Sequence, residues 1–148
     1  MVGRFEVFTL ALSEMMSSWN KIATEEMKAF DLKGNAVIYL IALYKHPEGL
    51  AAVNLCEMCN RDKAEVSRAV SAMEKKGLVI RTNTTVNGYK ANITLTDEGR
   101  EATRILRERV KLAVEKGGEG LSEEERENFY NALSVIGANL KRISREGL

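Results

Sequence analysis

Hydrophobic positions recur with a helical period over the first third of the chain. From about residue 4 to residue 30, apolar side chains follow one another at intervals of mostly three or four, which predicts a long amphipathic helix. Residues 33–35, Lys-Gly-Asn, are predicted to break it. The next apolar run, AVIYLIALY at residues 36–44, has no polar face; we interpret it as a buried helix, although periodicity alone also allows a strand. The apolar positions of the first helix are Phe5, Phe8, Leu12, Met15, Met16, Trp19, Ile22, Ala23, Met27 and Phe30.

The middle of the chain predicts two helices separated by a short turn. The first covers residues 50–59 and the second covers residues 62–76. At the start of the second helix, Asp62 and Glu65 match a capping box, and Gly77 supplies the glycine that commonly closes a helix. Two helices in this arrangement are typical of a helix-turn-helix. The residues of the first helix that are available for burial are Val53, Leu55, Cys56 and Cys59.

A hairpin is predicted directly after the second helix. An extended run begins at residues 78–80, and Asn87-Gly88 is the dipeptide best suited to a tight hairpin turn. The return strand alternates through Ile93 and Leu95, after which Thr96 can cap another helix. The order of helix, helix and hairpin is that of a winged helix-turn-helix.

The last helix carries a regular apolar seam. Ser122 and Glu125 form a second capping box at its start. The seam either packs inside the monomer or, as in a coiled coil, against a second copy, and we favour the second copy. The predicted fold class is mainly α with a small β-hairpin wing (α+β), with long helices at both ends for dimerisation. The seam positions are Phe129, Leu133, Ile136, Leu140 and Ile143.

Charge is unevenly distributed along the chain. The 148 residues carry a net charge of only +1, yet residues 60–90 hold seven basic and three acidic side chains. A local basic excess of this kind is the pattern expected of a phosphate-binding surface, although a solvated helix face is the simpler explanation. The chain has no recognisable secretory signal, and its longest uncharged apolar run is too short to span a bilayer. A soluble intracellular protein is expected.

The two cysteines form a CxxC sequence. Cys56 and Cys59 could act as a redox pair or as half of a zinc site, but burial as small apolar side chains is the favoured interpretation. Zinc normally needs four ligands, and the chain adds only one histidine, His46. With no recognisable nucleophile and base, we expect no enzyme activity, no metal and no cofactor.

Three motifs in register resemble the MarR family of bacterial transcription regulators. They are RDKAEVSR at residues 61–68, MEKKGLVIR at 73–81 and LTDEG at 95–99. The order of elements also agrees over nearly the whole chain. The resemblance implies a cytoplasmic homodimer that binds a palindromic operator in double-stranded DNA, usually represses, and is often released by a small aromatic or anionic effector or an oxidant. It places the DNA-binding lobe at 34–97 and the dimerisation helices at 4–30 and 100–144.

The outward face of the second middle helix holds the predicted DNA contacts. Arg68 is the best candidate for a bidentate guanine contact or a phosphate contact, and Lys63 for phosphate. Glu65 could accept from a cytosine amine, although its capping role explains it equally well. Arg81 is placed for phosphate, with a salt bridge inside the domain as the alternative. The predicted contacts on this helix are Lys63, Ala64, Glu65, Ser67, Arg68 and Ser71.

The wing departs from the family pattern. Many members carry Asp-x-Arg there, whereas this chain has Asn87-Gly88-Tyr89-Lys90, so Lys90 or Asn87 would have to contact the minor groove. The resemblance also implies an effector pocket near the first two helices, although a stripe of methionine and aromatic residues is usually core. Two alternatives stay open: a thiol-responsive regulator, and a winged helix that docks proteins without DNA. The candidate pocket residues are Met15, Trp19, Tyr39 and His46.

Overall fold

A computed structural model describes residues 3–83 and 91–148. Within these ranges the chain forms six α-helices, one short 3-10 turn and three strands. The chain divides within α5 into two compact units, Met1–Arg109 and Val110–Leu148. The elements are α1 (Arg4–Met27), the 3-10 turn (Lys28–Phe30), α2 (Ala36–Tyr44), β1 (Leu50–Ala51), α3 (Ala52–Cys59), α4 (Lys63–Lys75), β2 (Val79–Asn83), β3 (Ala91–Leu95), α5 (Asp97–Gly117) and α6 (Glu123–Glu146).

The first helix ends slightly earlier than its apolar pattern predicts. Residues 28–30 tighten into a 3-10 turn, in which the Asp31 amide donates to the Lys28 carbonyl at 3.1 Å. Asp31 itself adopts a left-handed conformation with φ 51°, which stops the helix. The break predicted at residues 33–35 is confirmed, since α2 begins at Ala36.

The core of the first unit forms around α2. Its run without a polar face is a helix, as predicted, and it is largely buried because both α3 and β3 contact it. The apolar face of α4 packs into the same core and contacts β2. The largest fully buried side chains include Tyr39, Met27, Leu40, Leu43, Leu55, Met73, Ile93, Val66 and Val70.

The wing contains a third strand that the sequence pattern did not predict. The sheet has the order β1-β3-β2 and is antiparallel throughout, with Leu50 opposite Ile93 and Val79 opposite Leu95. The prediction of a helix from residue 50 is therefore wrong for its first two residues, because Leu50 and Ala51 pair with β3. Within α3, Val53 is 60% exposed, although the sequence offered it for burial, while Leu55 and Cys59 are buried.

The LTDEG motif joins the wing to α5. The Thr96 hydroxyl accepts from the Gly99 amide at 2.9 Å, which confirms the predicted cap, and donates to the Gly77 carbonyl at 2.6 Å. The Thr96 amide donates to the Leu78 carbonyl at 3.0 Å. Gly99 lies directly against that carbonyl, where a side chain would overlap it. One short motif therefore ties together the end of α4, the first wing strand and α5.

Apolar side chains on the two terminal helices remain exposed. In α6 the capping box of Ser122 and Glu125 is complete, with bonds of 3.2 Å and 2.8 Å. No residue of α6 is buried, although its seam is strongly apolar. Among the described helices, none combines the length and apolar character needed to cross a membrane. The exposed apolar residues of α1 and α6 include Phe5, Leu10, Met15, Trp19, Phe129, Leu133, Ile136 and Leu140.

Candidate nucleic-acid interface

Helix α4 is well defined at both ends. The Asp62 carboxylate accepts from the Glu65 amide at 2.7 Å and so satisfies one of the free donors of the first turn. At the other end, Gly77 has φ 73°, a conformation that favours glycine. The buried face consists of Val66, Ala69, Val70 and Met73, as the helical spacing predicts. These contacts orient the opposite face toward solvent.

The outer face of α4 presents four of the predicted contact residues to solvent. Lys63, Ala64, Ser67 and Arg68 are exposed, and they span the first two turns of the helix. None of the salt bridges in the described part of the chain involves Lys63 or Arg68. Two positive charges are therefore available there for a negatively charged partner.

Glu65 is half-buried, and its carboxylate bonds within the protein. Its carboxylate accepts from the Asn35 side-chain amide at 3.3 Å and lies 3.4 Å from Nε of Arg61. The predicted capping box at Asp62 is therefore only half formed, because the Glu65 carboxylate bonds to the start of α2 instead of to its own helix terminus. Its predicted contact with a base stays a prediction.

Ser71 and Arg81 bond to each other. Nη2 of Arg81 donates to the Ser71 hydroxyl at 2.9 Å, and Nε of Arg81 lies 3.8 Å from the Glu74 carboxylate. The arginine on β2 thus links the wing to the middle of α4, which favours the intradomain alternative for this residue. At the wing tip, the predicted contacts Asn87 and Lys90 lie outside the described residues.

The four candidate effector residues lie in different environments. Met15 and Trp19 are exposed on α1, whereas Tyr39 is fully buried in α2. His46 is half-buried after α2, where its Nδ1 lies 3.0 Å from the Glu48 carboxylate. Only one of the four thus contributes to the core, and the pocket they were predicted to form stays a prediction.

The hydroxyl of Tyr39 is a buried polar group with no hydrogen-bond partner among the described residues. Burial, with the Glu65 carboxylate as a smaller cause, raises the pKa of Tyr39 to about 12. A buried phenol in this environment stays neutral, so it acts as part of the core rather than as an acid.

The loop before α2 contributes to the surface beside α4. From the sequence, this loop was interpreted only as a helix break. A cavity of about 530 Å³ there is lined in part by Lys33, Asn35 and Arg68. Lys33 is exposed, and Asn35 is half-buried. The signal for this surface in the sequence was the polar pair Lys33 and Asn35, which flank Gly34. Only the fold brings these two residues close to α4.

The cysteine pair lies in α3 and supports the structural interpretation. Cys59 is buried and Cys56 is half-buried. Burial raises the pKa of the Cys59 thiol, which disfavours the reactive thiolate. Within residues 3–83 and 91–148, no group of three metal-binding side chains includes these thiols.

A comparison with known families supports the resemblance seen in the sequence. The sequence model described as MarR family matches residues 30–87, which covers α2, β1, α3, α4 and β2. The resemblance to the MarR family is therefore confirmed. The Bacillus subtilis uncharacterized HTH-type transcriptional regulator YdgJ is 24% identical over 124 residues, 84% of this chain and 76% of that protein.

Solved structures agree with the MarR fold. A MarR transcriptional regulator from Methanosarcina mazei Go1 superimposes with a TM-score of 0.86 at 17% identity, covering 97% of this chain and 94% of the other. A putative MarR family regulator from Listeria monocytogenes, solved in complex with a 26mer DNA, gives 0.85 at 19% identity, with coverage of 99% and 97%. Over nearly its full length, this chain thus has the fold of these MarR-family transcriptional regulators.

Proposed function

We propose that this chain is a sequence-specific regulator that binds double-stranded DNA as a homodimer. The observation that carries the proposal is the outer face of α4, where Lys63, Ser67 and Arg68 are exposed while the opposite face is buried in the core. A recognition helix must be held firmly by its scaffold and must present short or bidentate side chains toward the major groove. Helix α4 meets both requirements.

The charges on α4 support contact with nucleic acid. Arg68 can form two hydrogen bonds to a guanine edge or pair with a phosphate, and Lys63 can neutralise a phosphate. Glu65 is the only acidic residue among the proposed contacts, and its carboxylate is paired with Asn35 and Arg61. That pairing reduces the repulsion that a free carboxylate would exert on the DNA backbone.

The exposed apolar residues of α1 and α6 support dimerisation. Large apolar stripes on a monomer mark contact surfaces, and a twofold dimer would match the symmetry of a palindromic operator. We therefore assign dimerisation to residues 4–30 and 100–144 and DNA binding to residues 34–97. By likeness to the family, we infer repression in the cytoplasm and release by a small aromatic or anionic effector.

The proposal is tested by selecting bound fragments from the source genome and measuring their affinity by fluorescence anisotropy. Affinity should fall steeply as salt rises, because phosphate contacts release counterions. We expect Arg68→Ala to weaken specific binding by about 1–3 kcal/mol. The control is Arg104→Ala, which removes the same charge from an exposed arginine of α5 that is paired with Glu101.

Two results would contradict the proposal. If Arg68→Ala bound the operator no more weakly than Arg104→Ala, the assigned face of α4 would be wrong. If the unmodified protein bound no genomic fragment at low salt, a role in docking proteins would replace DNA binding.

A further inference from the structure

Two residues suited to capping their own helices bond to each other instead. Asn35 occupies the N-cap position of α2, yet its side chain makes no capping hydrogen bond there. Glu65 occupies the third position of α4, where it could close a capping box with Asp62. By contrast, Glu125 at the same position of α6 does close such a box with Ser122. The side chains of Asn35 and Glu65 thus form a hydrogen bond between two helices instead of capping their own helices.

The contact spans 30 residues of sequence and is partly buried. Nδ2 of Asn35 donates to Oε1 of Glu65 at 3.3 Å. Arg61, one turn before Glu65, lies 3.4 Å from the same carboxylate oxygen. A neutral donor and a cation therefore meet one carboxylate at the point where α4 begins.

One side of α4 borders a surface cavity. The cavity of about 530 Å³ beside the helix is lined by Asn35 and Glu65 and by the small residues Ala69 and Ala72. A side chain that faces open space has no partner atoms on that side, so packing constrains the helix less there. Asn35 and Glu65 both line the cavity, and their hydrogen bond links α4 to the start of α2 on this side.

We infer that Asn35 and Glu65 are positioning residues, which set the rotation of α4 and thereby the direction of Arg68 and Ser67. The inference rests on the proposed DNA-binding function. Side-chain tips lie about 6 Å from a helix axis, so a rotation of 10° would move them by about 1 Å. Recognition contacts tolerate only about 0.5 Å of displacement. Losing the bond should therefore reduce discrimination between sequences more than it reduces overall stability.

Three variants separate positioning from direct contact with DNA. Asn35→Ala removes the donor without changing charge, while Glu65→Ala and Glu65→Gln both remove one negative charge. Glutamine keeps an oxygen that can accept from Asn35, whereas alanine does not. The measurement is the ratio of affinities for the selected operator and for a scrambled duplex of the same length.

We expect Asn35→Ala and Glu65→Ala to lower this ratio by about threefold to tenfold, the range for a partly exposed hydrogen bond to a charged group. Glu65→Gln should lower the ratio less than Glu65→Ala does, because glutamine keeps an oxygen that can accept from Asn35. The double variant Asn35→Ala/Glu65→Ala should lower the ratio no further than Glu65→Ala alone, because Glu65→Ala already removes the bond that Asn35→Ala breaks.

Two patterns would overturn the inference. If both Glu65 variants changed the ratio while Asn35→Ala did not, Glu65 would contact a base directly. If no variant changed the ratio, the bond would have no positioning role.

A separate measurement keeps the test independent of the proposed function. In DNA-free protein, urea unfolding of the two single variants and the double variant should give effects that are not additive. Additive effects would contradict the bond itself. Failure of the unmodified protein to distinguish the operator from the scrambled duplex would instead contradict the proposed function.

Discussion

Replacing Gly99 with alanine should destabilise the protein, even though alanine is the better helix former. An added Cβ would overlap the Leu78 carbonyl oxygen and would lie 2.8 Å from the carbonyl carbon, where ordinary contact begins at 3.4 Å. The neighbouring atoms are backbone, so the wing and α5 must move apart. That movement would strain the bond from the Thr96 amide to the same carbonyl, now 3.0 Å long.

The expected loss of stability is the difference between two destabilising effects and one stabilising effect. Overpacking a tight contact costs about 1–3 kcal/mol, and weakening one hydrogen bond adds about 1 kcal/mol. Replacing glycine with alanine inside a helix stabilises the folded state by about 1 kcal/mol. We therefore expect Gly99→Ala to lower the free energy of unfolding by about 1–3 kcal/mol.

Urea unfolding, followed by far-ultraviolet circular dichroism at one protein concentration, measures this change. The control is Gly117→Ala at the end of α5, where an added Cβ meets no atom within 4 Å. The control should be as stable as the unmodified protein or slightly more stable. If Gly99→Ala were equally stable, the close approach of α5 to Leu78 would be refuted.

Two further predictions use the same assay. Tyr39→Phe removes a buried hydroxyl that lacks a partner, so it should leave stability unchanged or raise it by about 1 kcal/mol. Because the pKa of Tyr39 is raised from 10.0 to about 12, the unfolded chain ionises first, and the unmodified protein should lose stability as pH rises above 10. The advantage of Tyr39→Phe should therefore grow between pH 10 and 12, and a constant difference would contradict this. Asp62→Ala should cost about 1 kcal/mol by removing the cap of α4, whereas Asp62→Asn keeps an acceptor; equal losses in both would argue against the cap.

Helical periodicity was enough to identify the outer face of the candidate recognition helix. Because Val66, Val70 and Met73 must face the core, Ala64 and Arg68 must lie on the other side, and both are exposed. The same reasoning predicted that all outward residues of α4 are equally exposed to solvent. It could not separate the exposed residues from Glu65 and Ser71, whose side-chain oxygens bond within the protein.

The third wing strand shows another limit of periodicity. Two residues are too few to show the alternation of a strand, and Leu50-Ala51 runs directly into a helical pattern. Its strand character exists only because Leu50 lies opposite Ile93 in β3. The helix prediction failed there because these residues pair with a strand that is distant in sequence.

The sequence by itself determined the helices and their caps, because these depend on side chains within about four residues of one another. The bonds of Asp62 with Glu65, of Thr96 with Gly99 and of Ser122 with Glu125 are all of this kind. Only the tertiary structure decided which polar groups meet across the fold. Asn35 reaches Glu65 because the start of α2 lies beside α4, an arrangement produced by burial of their apolar faces in one core. Such contacts depend on how the elements pack together, and no local pattern of residues specifies that packing.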